Sequence, residues 1–365
     1  MTQRLIFLNS HRAKSGIVDG RPLRPEYMLL AHFFGCGAVD RTRTLDIGVD
    51  YEVLQEIPTS RTEASFAEIC DAVADSIIDE AQRLDLPIQV AWSGGIDSTV
   101  ALISLTRRLR ARKELDRLIV CLSIDSIYEY PRFYEQFIMD TLRTRPMPTP
   151  LPSMLAEEMI TVTGEHGDQL FGSDHLEKLV KGGAAQLPYR HVVPFYMSSR
   201  LTTSEQAERL MAYLAPQVER APVPIETAFD YLWWCNFSLK WQQVNLRIPA
   251  FRQGRIGMLY RRTRHFFADE RFQAWSLSRP DLRKVTDWRA YKLEAKKVIL
   301  DATGDFDYFA TKEKAPSLKR VLVDRARQGN DRYLVHIYED FEVHFEVGRK
   351  RKLPLETIDT CNMAE

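Results

Sequence analysis

The sequence predicts an α/β protein in which helices flank a parallel sheet, with a largely helical C-terminal half and a small N-terminal β segment. Three apolar runs, 87–92, 117–123 and 159–164, have the length and continuous hydrophobicity of buried central strands. Helical patterns separate these runs, so the strands are expected to pair in parallel through right-handed crossovers. Residues 1–60 carry only short apolar runs broken by glycine, proline and charge, which favours a partly β segment.

The composition excludes several classes of protein. A chain of 365 residues with 45% hydrophobic and 27% charged side chains forms one large domain or two ordinary ones. Lys+Arg and Asp+Glu number 50 each, so net charge does not favour a membrane or nucleic acid as partner. The sequence lacks the roughly 20 consecutive apolar residues of a membrane span, and its first apolar run is too short for a signal peptide. The five cysteines lack metal-binding spacing and are expected to be reduced in the cytoplasm.

The helices have recognisable starts and ends. Ser65 and Glu68 fit a capping box, and apolar residues recur every three or four positions from Phe66 to Leu84. A second helix is predicted over 97–112 and a third over 131–144. Basic residues that close the second helix are expected to be solvated: Arg107, Arg108, Arg110, Arg112 and Lys113. Further helical patterns cover 202–218, 225–246, 287–303 and 317–328, and a strand or hairpin is expected at 332–347.

The stretch VAWSGGIDSTVAL, residues 90–102, joins the first predicted strand to a helix through Ser-Gly-Gly. Such a turn is suited to an anion, because glycine allows close approach and the first N–H groups of the helix point at the ligand. Asp97 would repel a phosphate unless it holds Mg²⁺ against the phosphate oxygens. The alternative is a tight strand–helix turn with Asp97 as a cap. The complete string in a strand–loop–helix context favours a nucleotide.

SGGIDS resembles the pyrophosphate loop of the ATP pyrophosphatase superfamily, which cleaves ATP between its α- and β-phosphates. The resemblance implies an adenine nucleotide alpha hydrolase-like fold and a loop that wraps the departing pyrophosphate. Its predicted residues are Ser93, Gly94, Gly95, Ile96, Asp97 and Ser98. We add Leu122 and Gly164 to this predicted nucleotide-binding set.

A second string, VTGEHGDQLFGSD at 162–174, places Glu165 and Asp168 among glycines just after the third predicted strand. Ligands of open α/β sheets bind at that end of the strands. One carboxylate can complete a Mg²⁺ site with Asp97 while the other moves protons. The string resembles an element of asparagine synthetases and their relatives, including β-lactam-forming synthetases and peptide cyclases. The resemblance assigns Asp168 to Mg²⁺–pyrophosphate and Glu165 to catalysis. Two residues depart from the family pattern: His166 replaces a glycine and Gln169 replaces an acid. The alternative interpretation of the whole string is a surface turn with a helix cap.

The string YFATKEKAPS at 308–317 resembles the family loop that carries a catalytic lysine. Lys312 is the matching position, with Lys314 as the alternative, and an ammonium there would offset charge on the leaving pyrophosphate. The family's N-terminal glutaminase domain, with its cysteine nucleophile, has no counterpart before residue 61. We therefore expect nitrogen to come from ammonia, a separate donor protein or a substrate amine.

The sequence thus predicts three regions: 1–60, an asparagine synthetase-like domain over 61–330, and a C-terminal extension over 331–365. The predicted enzyme uses ATP and Mg²⁺ to adenylate a carboxylate on a small molecule or peptide, and an amine then completes the amide. Two alternatives remain. One is adenylation of a nucleobase or tRNA, favoured by basic clusters around Arg261 and Arg349. The other is a nucleotide-binding partner protein without turnover.

Overall fold

The computed structural model describes residues 5–8, 10–18, 20–147, 154–173, 175–251 and 256–314, and the backbone of three strands between 335 and 354. The chain forms two compact units. We call the first the helical unit, which comprises 1–64, 166–250 and 267–293. We call the second the sheet unit, which comprises 65–165, 251–266 and 294–365.

The described strands are β1 (Ile17–Val18), β2 (Arg21–Pro22), β3 (Ile88–Ala91), β4 (Leu118–Leu122), β5 (Arg143–Pro146), β6 (Ile160–Thr163), β7 (Thr263–His265), β8 (Val335–Ile337), β9 (Glu342–Glu346) and β10 (Lys350–Pro354). The described helices are α1 (Ser10–Ser15), α2 (Pro25–Phe34), α3 (Phe66–Leu84), α4 (Ile96–Arg112), α5 (Ile124–Glu129), α6 (Pro131–Phe133), α7 (Gly167–Phe171), α8 (Leu176–Lys181), α9 (Tyr189–Ser198), α10 (Ser204–Glu219), α11 (Ala228–Leu239), α12 (Trp241–Leu246), α13 (Ile256–Arg262), α14 (Glu270–Ser278), α15 (Pro280–Arg283), α16 (Leu293–Thr303) and α17 (Phe306–Thr311).

A five-stranded, all-parallel sheet forms the core of the sheet unit, in the order β5-β4-β3-β6-β7. The predicted α/β class is therefore confirmed. Strands β3 and β6 are fully buried, as their uninterrupted apolar runs predict. The chain adds β4 and β5 on one side of β3, and then β6 and β7 on the other. The direction of winding therefore reverses between β3 and β6.

The predicted helix α3 is confirmed, including the reciprocal capping box of Ser65 and Glu68. The predicted α4 is also confirmed, although its N-cap is Gly95 and not Asp97. The expectation that the basic end of α4 is solvated is confirmed, because Arg107, Arg110 and Lys113 are exposed. Three of its arginines in addition form partly exposed ion pairs with aspartates of α3. These pairs are Arg107–Asp71, Arg108–Asp75, and Arg112 with both Asp75 and Asp79.

Three predicted helices differ from the structure. The helix expected over 131–144 ends as a π-helical turn at Ile138, and β5 follows it. The pattern at 225–246 is two helices, α11 and α12, separated at Lys240. The pattern at 287–303 begins with a 3₁₀ turn, so that α16 starts only at Leu293. The prediction at 317–328 lies outside the described residues, whereas β8 and β9 pair antiparallel within the expected hairpin at 332–347.

The N-terminal region is less β-rich than predicted. Its described part contains one hairpin of two two-residue strands, β1–β2, and one isolated bridge between Leu5 and Tyr51. Its longest element is the helix α2. The run YMLLAHFF lies within α2, where Tyr27, Leu30 and Phe33 are buried. A run that is apolar nearly all round fits a buried helix as well as a strand, and its length decides between them. In the described part of the chain, no helix has both the length and the apolar character needed to cross a bilayer.

The helical unit encloses an aromatic core. Trp233, Trp234 and Trp241 are each fully buried within it. The Trp233 and Trp234 indoles donate to the carbonyls of Leu170 and Gln217, so burial leaves their N–H groups satisfied.

Candidate functional site

The two sequence motifs follow the two strands at which the sheet changes its direction of winding. Ser93–Ser98 connects β3 to α4, and Gly164–Glu165 follows β6. Strands β3 and β6 are direct parallel neighbours, with Ala91 paired to Thr163 at their carboxyl ends. Open α/β sheets bind ligands in the crevice at this topological switch point. The sheet unit therefore brings both motifs to the position expected of a ligand site.

Hydrogen bonds between serines fix the Ser93–Ser98 loop. The Ser98 hydroxyl accepts from the Ser93 N–H at 3.1 Å and lies 3.0 Å from the Ser93 hydroxyl. Ser98 also donates to the Gly95 carbonyl at 3.2 Å. Because the N-cap Gly95 has no side chain, no side chain caps the start of α4. The loop thus presents a pre-formed turn at a helix N-terminus, where anions bind.

Gly94 must be a glycine for two reasons. Its φ of 75° lies in the left-handed region, and a Cβ would lie 2.3 Å from the Ser126 carbonyl oxygen and 2.6 Å from Glu129 Cβ. The loop therefore packs directly on α5. Ile96 is buried beside it, Asp97 is half-buried in the first turn of α4, and Leu122 is buried at the end of β4.

Gly164 connects the second motif to the first. A Cβ on Gly164 would lie 2.6 Å from the backbone nitrogen of Ser98 and 2.9 Å from the carbonyl carbon of Asp97. The end of β6 can reach the first turn of α4 only because residue 164 has no side chain. Glu165 follows directly, is half-buried, and has its N–H bonded to the Thr163 hydroxyl at 3.3 Å.

His166 has a backbone conformation that glycine ordinarily supplies. Its φ is 74°, in the left-handed region that few side chains adopt. The ring packs 4.5 Å from Trp241, and Nε2 lies 3.1 Å from the Trp241 carbonyl oxygen. The family motif that this string resembles has glycine at the same place. Packing against Trp241 within the helical unit holds the His166 side chain in this conformation.

Asp168 lies in the first turn of α7, close to a lysine that sequence reasoning missed. Lys292 Nζ lies 2.8 Å from Asp168 Oδ1, and the Lys292 side chain is only 3% exposed. The Tyr291 hydroxyl donates to the same oxygen at 3.3 Å. Lys292 also has a left-handed φ of 60°. Backbone strain of this kind persists where surrounding structure enforces it, often at functional sites.

Lys312 pairs with Glu129, another residue that the sequence did not single out. The two side chains are 15% and 16% exposed, and Lys312 Nζ also lies 5.8 Å from the centre of the Tyr308 ring. Glu129 is the residue that packs against Gly94. The predicted catalytic lysine and the predicted pyrophosphate loop therefore contact the same glutamate within the sheet unit.

Two buried groups hold the Lys312 segment in place. Lys296, which is fully buried in α16, donates to the Lys312 carbonyl at 3.0 Å. Asp305 caps α17 by accepting from the Tyr308 N–H at 3.1 Å, and it also accepts from the Tyr130 hydroxyl and from Arg132. Lys312 thus follows a helix that is anchored at both ends.

The two motifs contribute three carboxylates, Asp97, Glu165 and Asp168. The described residues contain no group of three or more His, Cys, Asp or Glu side chains that could hold a metal by itself. Mg²⁺ at nucleotide sites is typically bound by one or two carboxylates together with phosphate oxygens and water. Asp97 belongs to the sheet unit and Asp168 to the helical unit, so their sharing of one metal stays a prediction from sequence.

The basic residues near β7 are engaged within the sheet unit. Arg264 forms a bidentate ion pair with Glu80, and His265 Nδ1 lies 2.6 Å from the Thr163 hydroxyl. The latter contact links β7 to β6 next to the second motif. These two members of the basic cluster have structural partners.

The helical unit also contains a cavity of about 520 Å³ that none of the predicted site residues line. Arg283, Lys284 and Asp230 lie on its wall. Arg283 is buried over the Trp233 ring at 3.4 Å, and burial lowers the pKa of its guanidinium to about 9.

Glu129 and Lys292 carried no readable sequence signal, because each stands alone outside a motif. Only their contacts with Gly94 and Asp168 identify them. A scan against protein-family models finds no match to this chain, and a search of curated proteins finds no significant relative.

Proposed function

We propose that the chain is an ATP-dependent, AMP-forming carbon–nitrogen ligase of the asparagine synthetase-like type. It would adenylate a substrate carboxylate, release pyrophosphate, and pass the activated acyl group to an amine. The observation that carries this proposal is the contact of Gly164 with the first turn of α4 at the switch point of the sheet. It joins two motifs, each of which resembles the same enzyme family.

The residues have distinct roles in this proposal. The N–H groups and hydroxyls of Ser93–Ser98 bind the pyrophosphate, while Leu122 and Gly164 line the nucleotide site. Lys312 offsets negative charge as pyrophosphate leaves the α-phosphate. Glu165 takes the proton from the attacking amine. Bound Mg²⁺ would neutralise phosphate charge, and Asp97 and Asp168 are the carboxylates that we assign to it.

The local geometry suits a nucleoside triphosphate. The loop turn is held by serine hydrogen bonds before any ligand binds, and its glycine at 94 presents backbone where a side chain would collide. His166 has a left-handed φ, which glycine adopts most easily, and glycine stands at this place in the motif that the string resembles. Both features support the family resemblance.

Adenylation of tRNA is a weaker proposal. Arg264 pairs with Glu80, and arginines 107, 108 and 112 pair with aspartates of α3. Paired arginines offer less positive charge to a phosphate backbone. We therefore propose a small-molecule or peptide carboxylate as substrate, with ammonia, a substrate amine or a separate nitrogen-donor protein as the nitrogen source. The four described cysteines are free and buried, which suits the cytoplasmic location that we propose.

The direct test is exchange of labelled pyrophosphate into ATP with a panel of small carboxylates and peptides. We expect exchange that requires both a carboxylate and Mg²⁺, and that is lost in Asp97→Asn. Formation of ADP and phosphate would reject the proposal. Full biological activity of Asp97→Asn would instead support the nucleotide-binding protein without turnover.

A further inference from the structure

Tyr308 carries a buried hydroxyl without a hydrogen-bond partner. The residue is 8% exposed, and within the described part of the chain no donor or acceptor lies in bonding geometry with its oxygen. Buried polar groups in native proteins are nearly always satisfied, so each exception calls for an explanation such as a missing ligand or water. An unsatisfied buried hydroxyl costs about 1–3 kcal/mol of stability.

Packing restricts rotation of the Tyr308 ring, so its hydroxyl cannot easily reach a different hydrogen-bond partner. It stacks on Tyr130 with ring centres 3.9 Å apart and planes 15° from parallel. Its backbone N–H is bound to Asp305, the cap of α17. The neighbouring Tyr130, in contrast, donates its hydroxyl to Asp305 at 3.1 Å. Of these two stacked tyrosines, one is satisfied within the protein and the other is not.

The surroundings of Tyr308 are those of the proposed nucleotide site. Lys312 Nζ lies 5.8 Å from its ring centre, and Lys312 pairs with Glu129, which packs on Gly94 of the loop. Burial raises the pKa of Tyr308 well above its usual value, and Tyr130, Glu129 and Asp97 raise it further. The hydroxyl therefore remains protonated and available as a donor.

We propose that the Tyr308 hydroxyl donates a hydrogen bond to a phosphate oxygen of the bound nucleotide, beside Lys312. An anionic oxygen supplies the acceptor that the described residues do not. Lys312 compensates the negative charge of that oxygen. This inference rests on the proposed function, which supplies the nucleotide. It adds a binding residue that no motif identified.

The test is Tyr308→Phe, with two measurements on the full-length chain. Because the lost hydroxyl has no partner among the described residues, the free energy of unfolding should be unchanged or higher. The dissociation constant for MgATP, and for magnesium pyrophosphate as a second probe, should rise by about 10-fold or more, as expected for loss of a hydrogen bond to a charged group.

Two control variants calibrate these results. Thr106 also has a buried hydroxyl without a partner among the described residues, but it lies two turns further along α4 than Ser98. Thr106→Val should therefore show the same stability effect with unchanged affinity. Tyr130→Phe breaks the bond to Asp305 and should lower stability by about 1 kcal/mol.

The binding and stability measurements distinguish failure of the Tyr308 inference from failure of the proposed function. If the parent binds MgATP and Tyr308→Phe binds it equally well, only this inference is overturned. If Tyr308→Phe is clearly destabilised, the hydroxyl has a partner within the protein and the premise is wrong. If the parent binds neither MgATP nor magnesium pyrophosphate, the proposed function itself fails.

Discussion

Gly164 at the end of β6 packs against the backbone of Ser98 in the first turn of α4, with 2.6 Å between the position of a Cβ and the Ser98 nitrogen. The two residues are 66 positions apart and belong to two motifs that sequence analysis recognised separately. Parallel pairing of β3 with β6 brings them together. The contact explains why the second motif needs glycine where β6 ends.

Gly164→Ala tests this contact by steric means alone. Its φ is ordinary, so alanine adds no backbone strain, but its Cβ collides with backbone atoms that cannot move aside cheaply. We expect a loss of about 1–3 kcal/mol in unfolding free energy and weaker pyrophosphate binding, measured by urea denaturation and calorimetry. Gly257→Ala is the control, because none of the described residues outside its own helix lies within 4 Å of an added Cβ. Equal behaviour of the two variants would contradict the contact.

The sequence predicted the centre of the sheet but not its edges. Strands β3, β4 and β6 are continuous apolar runs, which only a buried strand or helix explains. Strands β5 and β7, in contrast, read RTRP and TRH, and their charged residues hide the pattern. Edge strands commonly carry such residues, because one side of the backbone is unpaired. Their position follows from pairing with β4 and β6, which is tertiary information.

Lys312→Met tests the proposed catalytic lysine against its alternative. If Lys312 stabilises the leaving pyrophosphate, exchange should fall by about 10²–10³-fold, while Lys314→Met should retain most of the activity. Lys297→Met is a matched control, because Lys297 forms a comparable ion pair with Glu294 but is 49% exposed. Its exchange rate and stability should match those of the parent. A larger loss in Lys314→Met than in Lys312→Met would reverse the assignment.

His166 provides a test of the left-handed turn. At a φ of 74°, alanine is strained by about 1 kcal/mol or more relative to glycine. Since both substitutions lose the contact with Trp241, His166→Gly should be more stable than His166→Ala by about that amount in urea unfolding. The order should be reversed inside α3, where Ala72→Gly is expected to cost about 1 kcal/mol. If alanine is the more stable residue at 166, the turn is not left-handed.

The site was predictable from sequence only where its functional residues are close together in the sequence. Ser93–Ser98 is a contiguous loop, so its glycines and hydroxyls could be read together. Glu129 and Lys292 are isolated residues whose partners lie 183 and 124 positions away. No local pattern encodes such a pair, and a single sequence holds no information on which lysine meets which carboxylate.

The Lys292–Asp168 pair should be energetically coupled. The lysine is buried and the carboxylate is 29% exposed, so removal of either partner alone leaves a poorly solvated charge. We expect a double-mutant cycle with Lys292→Met and Asp168→Asn to give a coupling of about 1–3 kcal/mol. The exposed pair Lys181–Glu177, treated in the same way, should give about 0.3–0.5 kcal/mol. Additive effects at Lys292 and Asp168 would show that the ion pair does not stabilise the helical unit.

The ion pairs between α3 and α4 should make the unfolding free energy of the sheet unit fall at acid pH. Burial of Asp75 raises the pKa of its carboxyl, but hydrogen bonds from Arg108 and Arg112 outweigh burial and hold the pKa below its usual 3.8. The stabilisation is therefore fully present above pH 3.8 and is lost as the pH falls through the lower, folded-state pKa. Asp75→Asn should be less stable than the parent at pH 6, and the difference should shrink progressively below pH 3.8 in urea unfolding. Asp301→Asn removes an exposed carboxylate of α16 and is the control for the substitution at pH 6. A difference at Asp75 that is independent of pH would contradict the assignment.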